Sequence, residues 1–168
     1  AACAPIPTGN PMTLKPPALN PATLPPRTSS GYPAVFHPLV LPREKRALGD
    51  ALGLTQFGVN LTTLFPGKAS SMRHHHSRED EFVFVLQGEV VVRTEEGEQL
   101  LTAGMCAGFP AGTGNGHQLV NRSTEPAQYL EIGSRDPADT VEYPDVDLAA
   151  AKNAQGTWVF TRRDGSSY

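Results

Sequence analysis

The chain has 168 residues, a mass of 18.0 kDa, a formal net charge of -3 and a hydrophobic fraction of 39%. That length accommodates one domain with a tail and excludes two full domains. The mildly acidic balance argues against nucleic acid as a partner, and no apolar run approaches the roughly 20 residues of a membrane-spanning helix.

Nine of the 16 prolines fall between Pro5 and Pro33. Proline fixes φ and removes a backbone donor, so residues 1–33 are expected to form an extended Pro-rich N-terminal arm rather than helix or central strand. Such an arm either trails free or wraps a partner subunit. No basic segment followed by an apolar stretch marks a leader. The expected compartment is the cytoplasm, with a processed leader as the alternative for a chain that begins Ala1-Ala2-Cys3. Cys3 and Cys106 are too few for a disulfide framework and do not form a zinc pattern by themselves.

From Leu54 to Gly133 the sequence is β in character. Leu54–Phe65 ends at Pro66-Gly67, Glu81–Leu86 at Gln87-Gly88, and Val90–Thr94 at Glu95-Glu96-Gly97. Gln99–Leu101, Met105–Phe109, His117–Val120 and Ala127–Ile132 follow, each closed by a turn residue or a polar loop. Short strands at near-regular spacing, with no helical pattern of ten residues among them, indicate an all-β sandwich or barrel. Beyond it, Ala149 to Gln155 is expected to be a short C-terminal helix, followed by an edge strand or tail anchored by Trp158 and Phe160. The division expected is residues 1–33 as arm, 34–140 as barrel and 141–168 as a C-terminal extension.

His74, His75 and His76 are consecutive. On a strand, positions i and i+2 share a face, so His74 and His76 can reach one ion while His75 points away. Glu81 opens the next strand after the turn-like segment 77–80, and His117 opens a later one. Three imidazoles and a carboxylate form a mixed nitrogen and oxygen set suited to a divalent Fe, Mn, Co, Ni, Cu or Zn. On an octahedral ion two positions would stay open. The segment Gly112-Thr-Gly-Asn-Gly116 imitates a phosphate-binding glycine loop, but no βαβ unit surrounds it.

These residues fit a known template. Gly67, His74-His75-His76, Glu81 and Gly88 match the first motif of the cupin superfamily, and Gly104, Pro110-Ala111-Gly112, His117 and Asn121 match the second. The chain resembles single-domain bacterial cupins, some provisionally labelled sugar-phosphate isomerases. The resemblance implies a double-stranded β-helix, or jelly-roll barrel. It assigns His74, His76, Glu81 and His117 as ligands of one divalent transition metal (Fe, Mn, Cu, Ni or Zn). It makes Asn121 a structural turn residue and gives Gly88, Gly104 and Gly112 to tight turns. It also implies a homodimer that exchanges N-terminal arms. Gly67 lies one residue farther from the histidines than in the common pattern, and the loop from Gly112 to His117 is two residues longer.

An ion with this ligand set keeps a net charge of about +1 and favours a small anionic or oxygenated substrate. Glu131 is a candidate general base and Tyr129 a candidate donor to a substrate oxygen. Gln56, Asn60, Gln118 and Glu131 are candidates for orienting the ligands. The reaction expected is oxidative, of dioxygenase or oxidase type, because no lysine or arginine cluster suited to phosphate is evident near the motifs. Arg73 and Arg78 are the exceptions considered. A sugar-phosphate isomerase is the alternative, and a non-catalytic module binding a small molecule or sugar is a third reading.

Overall fold

The computed structural model describes residues 14–168; Pro5, Pro7, Pro11 and the remainder of the arm before Leu14 lie outside the described residues. The strands in chain order are β1 (Arg43–Ala47), β2 (Phe57–Leu64), β3 (His75–His76), β4 (Glu81–Gln87), β5 (Glu89–Thr94) and β6 (Gly97–Thr102). They continue as β7 (Cys106–Phe109), β8 (Gln118–Val120), β9 (Ala127–Ser134), β10 (Thr140–Glu142), β11 (Ala149–Lys152) and β12 (Trp158–Thr161). Among the described residues, helix is confined to single turns, α1 (His37–Val40), α2 (Leu48–Ala51) and two 3₁₀ turns.

All strand pairings are antiparallel. One sheet runs β1-β2-β9-β4-β7, a second β6-β5-β8, and a third β12-β11-β10-β3. This is the expected all-β jelly-roll barrel. Alternation along the strands explains its core: Val83 and Val85 on β4, Val90 and Val92 on β5, and Ala127 and Tyr129 on β9 are buried with Leu64 and Leu119. Burying one such aliphatic side chain contributes on the order of 1.5–3 kcal/mol. A second cluster, Val40, Met72, Val141, Tyr143, Leu148 and Ala150, joins the C-terminal sheet to the rest.

Two motif positions show why their residue types are required. Gly88 turns β4 into β5 at φ +73°, and an added Cβ would lie 3.0 Å from both Ala127 Cα and the Pro126 carbonyl oxygen. Asn121 is fully buried; its Nδ2 donates to the carbonyls of Leu64 and Glu125, and its Oδ1 accepts from the Ser123 backbone and hydroxyl.

The five-stranded sheet has two contrasting faces. Inward rows run Asn60–Glu131–Val83 and Lys45–Thr62–Tyr129, with Arg43 beside Leu64. Outward rows run Val59–Ile132–Phe82 and Leu61–Leu130–Phe84, apolar side chains that are half-buried or, for Phe82, exposed.

The C-terminal segment corrects one expectation. Ala149–Gln155 is not helical: Ala149–Lys152 is strand β11, paired with β10 on one side and β12 on the other. Alanine's helix preference is a fraction of a kcal/mol per residue, too little against two flanking ladders. Strand β1 is not among the expected strands, because Arg43-Glu44-Lys45-Arg46 carries no apolar alternation. The described part of the arm lies along β1 of its own barrel: Arg27 and Lys45 exchange backbone hydrogen bonds at 2.9 and 3.0 Å, and Arg46 Nε donates to the Leu24 carbonyl. This covers an otherwise open sheet edge.

Candidate metal centre

The strand phase around the histidine triplet is as anticipated. His74 bridges to His117 through paired backbone hydrogen bonds, and β3 pairs with β10. His74 and His76 face the barrel interior, while His75 turns away and lies 3.8 Å from Glu142. Glu81 begins β4 on the inward face, cross-strand from Phe109.

Nε2 of all three inward imidazoles lies near one atom. Glu81 Oε2 lies 2.7 Å from His117 Nε2 and 3.4 Å from Nε2 of both His74 and His76. The ligand atoms of His74, His76 and Glu81 lie within 4.8 Å of one another. Glu81 Oε2 is buried, yet it makes no aligned hydrogen bond. Buried carboxylate oxygens ordinarily find partners. A carboxylate oxygen ringed by imidazole nitrogens without an aligned donor is what a divalent ion would satisfy, so the residues fit the ion.

Two of the three imidazoles are fixed by hydrogen bonds on the far side, whereas His117 Nδ1 is buried without a partner. His74 Nδ1 faces the Met72 carbonyl at 3.0 Å and the Ser71 hydroxyl at 3.2 Å, and His76 Nδ1 faces Asp139 at 2.5 Å. Such contacts set the tautomer that leaves Nε2 free to coordinate. The His117 ring stacks on Phe109 with centroids 3.7 Å apart and planes 5° from parallel.

The electrostatics match this crowding. Burial would raise the Glu81 carboxyl, but the neighbouring His117 and His74 outweigh it and hold the group well below the usual carboxylate range. Burial disfavours charge on His74, yet Glu81 overrides it and raises that imidazole; at His117 burial prevails and lowers it. The cluster opens into a cavity of about 480 Å³. Trp158, Phe160 and Val141 form its apolar side, and Tyr32 and Tyr143 bring hydroxyl-bearing rings. Burial pushes the Tyr32 hydroxyl up to about 12 and raises Tyr143 as well, so both remain protonated at neutral pH.

A family model described as Cupin domain matches residues 60–133. A crystal structure described as a sugar phosphate isomerase from a cupin superfamily, from Silicibacter pomeroyi DSS-3, is 45% identical over 90% of this chain and 96% of its own, with a TM-score of 0.85. The chain belongs to the cupin superfamily. A second structure, from Acidithiobacillus ferrooxidans ATCC 23270 and provisionally named a sugar phosphate isomerase, is 32% identical. It covers 75% of this chain and 80% of its own, with a TM-score of 0.66. A polyketide cyclase from Streptomyces resistomycificus shares the fold alone, at 16% identity over 70% of this chain and 79% of its own, with a TM-score of 0.58. No curated protein matches.

This cupin brings other expected residues to the cavity selectively. Glu131 lines it and accepts a hydrogen bond from Lys45 Nζ at 2.6 Å; Asn60 Nδ2 approaches the same oxygen at 3.4 Å. Tyr129 does not reach the cavity: it is 1% exposed, and its hydroxyl is buried in the barrel core without a partner. Gln118 donates to the Ser71 carbonyl, holding the backbone beside His74. Gln56 is exposed and only its backbone carbonyl is engaged, by Arg135.

The expectation that no basic cluster exists is corrected. Arg27, Arg43 and Lys45 all line the cavity, whereas Arg73 is committed to Asp145 and Glu95 on the outside and Arg78 is exposed. Arg43 and Lys45 share the inward face of β1, a phase hidden because that segment does not read as a strand. Asp139, Tyr32 and Tyr143 were also missed; they come from a turn, the arm and a loop, where no periodicity points inward.

Proposed function

We propose that this cupin is a metal-dependent isomerase of a small, anionic, polyhydroxylated substrate. The observation that carries this reading is the shared cavity. It holds three imidazoles and Glu81 around one point, a Lys45–Glu131 pair reaching across β2 from β1 and β9, and basic side chains beyond. When bound at His74, His76, Glu81 and His117, a divalent ion supplies a Lewis acid that polarises a carbonyl oxygen.

The chain's own groups divide the remaining work. Glu131 is cross-strand from Val83, two residues along β4 from Glu81, so the two residues are diagonal neighbours whose backbones lie about 7–8 Å apart on one face of the sheet. Glu131 removes the proton from the carbon beside the carbonyl and returns it to the former carbonyl carbon, while a hydroxyl proton moves between the two oxygens. No oxidant or reductant is consumed. Lys45 donates to Glu131 at 2.6 Å and fixes where that carboxylate sits, and Tyr32 and Tyr143 offer neutral hydroxyl donors. Trp158 and Phe160 limit water around the reacting carbons. The names of the two most similar structures described above agree with this chemistry, and the basic wall removes the reason for preferring oxidation.

The test is aldose–ketose exchange by metal-loaded protein, followed by solvent deuterium entering the substrate carbon. Glu131→Gln should lower kcat roughly 10²–10⁴-fold while the ion is retained. Oxygen consumption without exchange would overturn the reading.

We also propose that the outward apolar rows of the five-stranded sheet are covered by a second copy of the chain. The support is the continuity of Val59–Ile132–Phe82 with Leu61–Leu130–Phe84 across three strands.

A further inference from the structure

Arg43 is a buried cation without an anion. It is 7% exposed and lines the cavity from the inward face of β1. Its Nη1 donates to the Ser70 carbonyl at 2.9 Å, its Nε is buried without a partner, and no carboxylate among the described residues pairs with it. A guanidinium does not shed its proton, so it cannot escape this by neutralising, as a lysine can. Burying an unpaired charge is strongly unfavourable unless something else supplies the opposite charge.

The neighbouring cations show what remains to be matched. Lys45, two residues on, is already neutralised by Glu131 at 2.6 Å. Arg27, backbone-paired with Lys45, is exposed at the cavity rim and likewise has no carboxylate partner among the described residues. The wall therefore carries two uncompensated guanidinium charges. A carboxylate would cancel one of them; a phosphate monoester, at about -1.5 to -2 near neutral pH, cancels both. The guanidinium fork also suits phosphate oxygens. Two serines connect this wall to the imidazoles: Ser70 Oγ lies 3.2 Å from Ser71 Oγ, which lies 3.2 Å from His74 Nδ1.

We propose that Arg43, assisted by Arg27 at the rim, binds the phosphate group of a phosphorylated substrate whose oxygenated end faces His74, His76, Glu81 and His117. The inference rests on the isomerase reading only for the anion being part of a substrate; binding of the anion does not depend on it.

The experiment is calorimetric titration of the full-length, metal-stripped protein with inorganic phosphate, and with acetate as a carboxylate control. Wild type should bind phosphate at least about tenfold more tightly than acetate, and Arg43→Gln should weaken phosphate by roughly tenfold or more. Because Arg43 also holds the Ser70 carbonyl, Arg27→Gln at the exposed rim serves as a second variant, with a weakening of about threefold or more. A pentose 5-phosphate should displace inorganic phosphate, and the bare pentose should not. Equal affinity for phosphate and acetate, or unchanged phosphate affinity in a folded Arg43→Gln, would overturn the subsite. Should Arg43→Gln not fold, unchanged affinity in Arg27→Gln would do so. Failure of the pentose phosphate to compete would reveal a site for free anion and overturn the substrate role. Phosphate binding through Arg43 in a protein without turnover would refute the isomerase and leave the subsite standing. Undiminished turnover of the pentose phosphate by Arg43→Gln would do the reverse.

Discussion

His76 Nδ1 lies 2.5 Å from Asp139 Oδ2, a contact that ties the imidazole cluster to the turn preceding the C-terminal sheet. Asp139 is 1% exposed, and its other oxygen accepts from the Ser77 hydroxyl and the Arg78 backbone. Burial would raise its carboxyl, but His76 and these donors outweigh that and lower it. It therefore stays anionic and holds His76 with Nε2 turned toward Glu81. The residue stands outside the segment 60–133 that the family model covers.

Asp139→Asn keeps the shape and the acceptor for the Arg78 backbone, but removes the charge that fixes the imidazole. Its affinity for Mn²⁺ or Zn²⁺, measured by competition with a chelator, should fall about 10–100-fold. Unchanged affinity would assign Asp139 to the turn alone.

The ion-free protein should show a bell-shaped dependence of melting temperature on pH. Glu81 and Asp139 are lowered in the folded state, so their contribution is complete above their ordinary carboxyl values and is lost as pH falls through the folded ones. His117 is lowered, so its contribution is full above the ordinary histidine value of 6.5 and declines as pH falls below it. His74 is raised, so its contribution is full below 6.5 and is lost as pH rises through its folded value. The maximum should lie near pH 6.5. Loading the ion should remove the alkaline limb, since coordination displaces the His74 proton. A monotonic profile in the ion-free protein would contradict the charge arrangement.

Much of the candidate site was legible because its histidines lie in extended backbone, His74 and His117 at a bridge beside β3 and β8. His74 and His76 follow the two-residue period, Glu81 opens the next strand after a turn, and the turn at Gly88 and the loop at Asn121 declare themselves by residue type. What the sequence concealed lies where periodicity is masked or absent. The charged run of β1 hides an alternation that places Arg43 and Lys45 inward. Ala149–Lys152 carries a weak helix preference that pairing on both sides overrides. Tyr32 and Asp139 occupy the arm and a turn, so only the folded chain brings them to the cavity and to His76.

The proposal that a second copy covers the outward rows is tested by the state of assembly. Wild type should elute and scatter light as a dimer, and Phe82→Glu, which places a charge amid Val59, Ile132 and Phe82, should yield a folded monomer. A monomeric wild type would remove the second copy from that face.

On the proposed reading, His74, His76, His117 and Glu81 together hold one divalent ion. The sole tryptophan, Trp158, lies 6.0 Å from the His76 ring and can report binding of Ni²⁺ or Cu²⁺ by quenching. Elemental analysis after dialysis, together with this titration, should give one ion per chain for wild type and for His75→Ala, and none for His76→Ala. Equal metal content in the two variants, or no ion in the saturated wild type, would contradict the account.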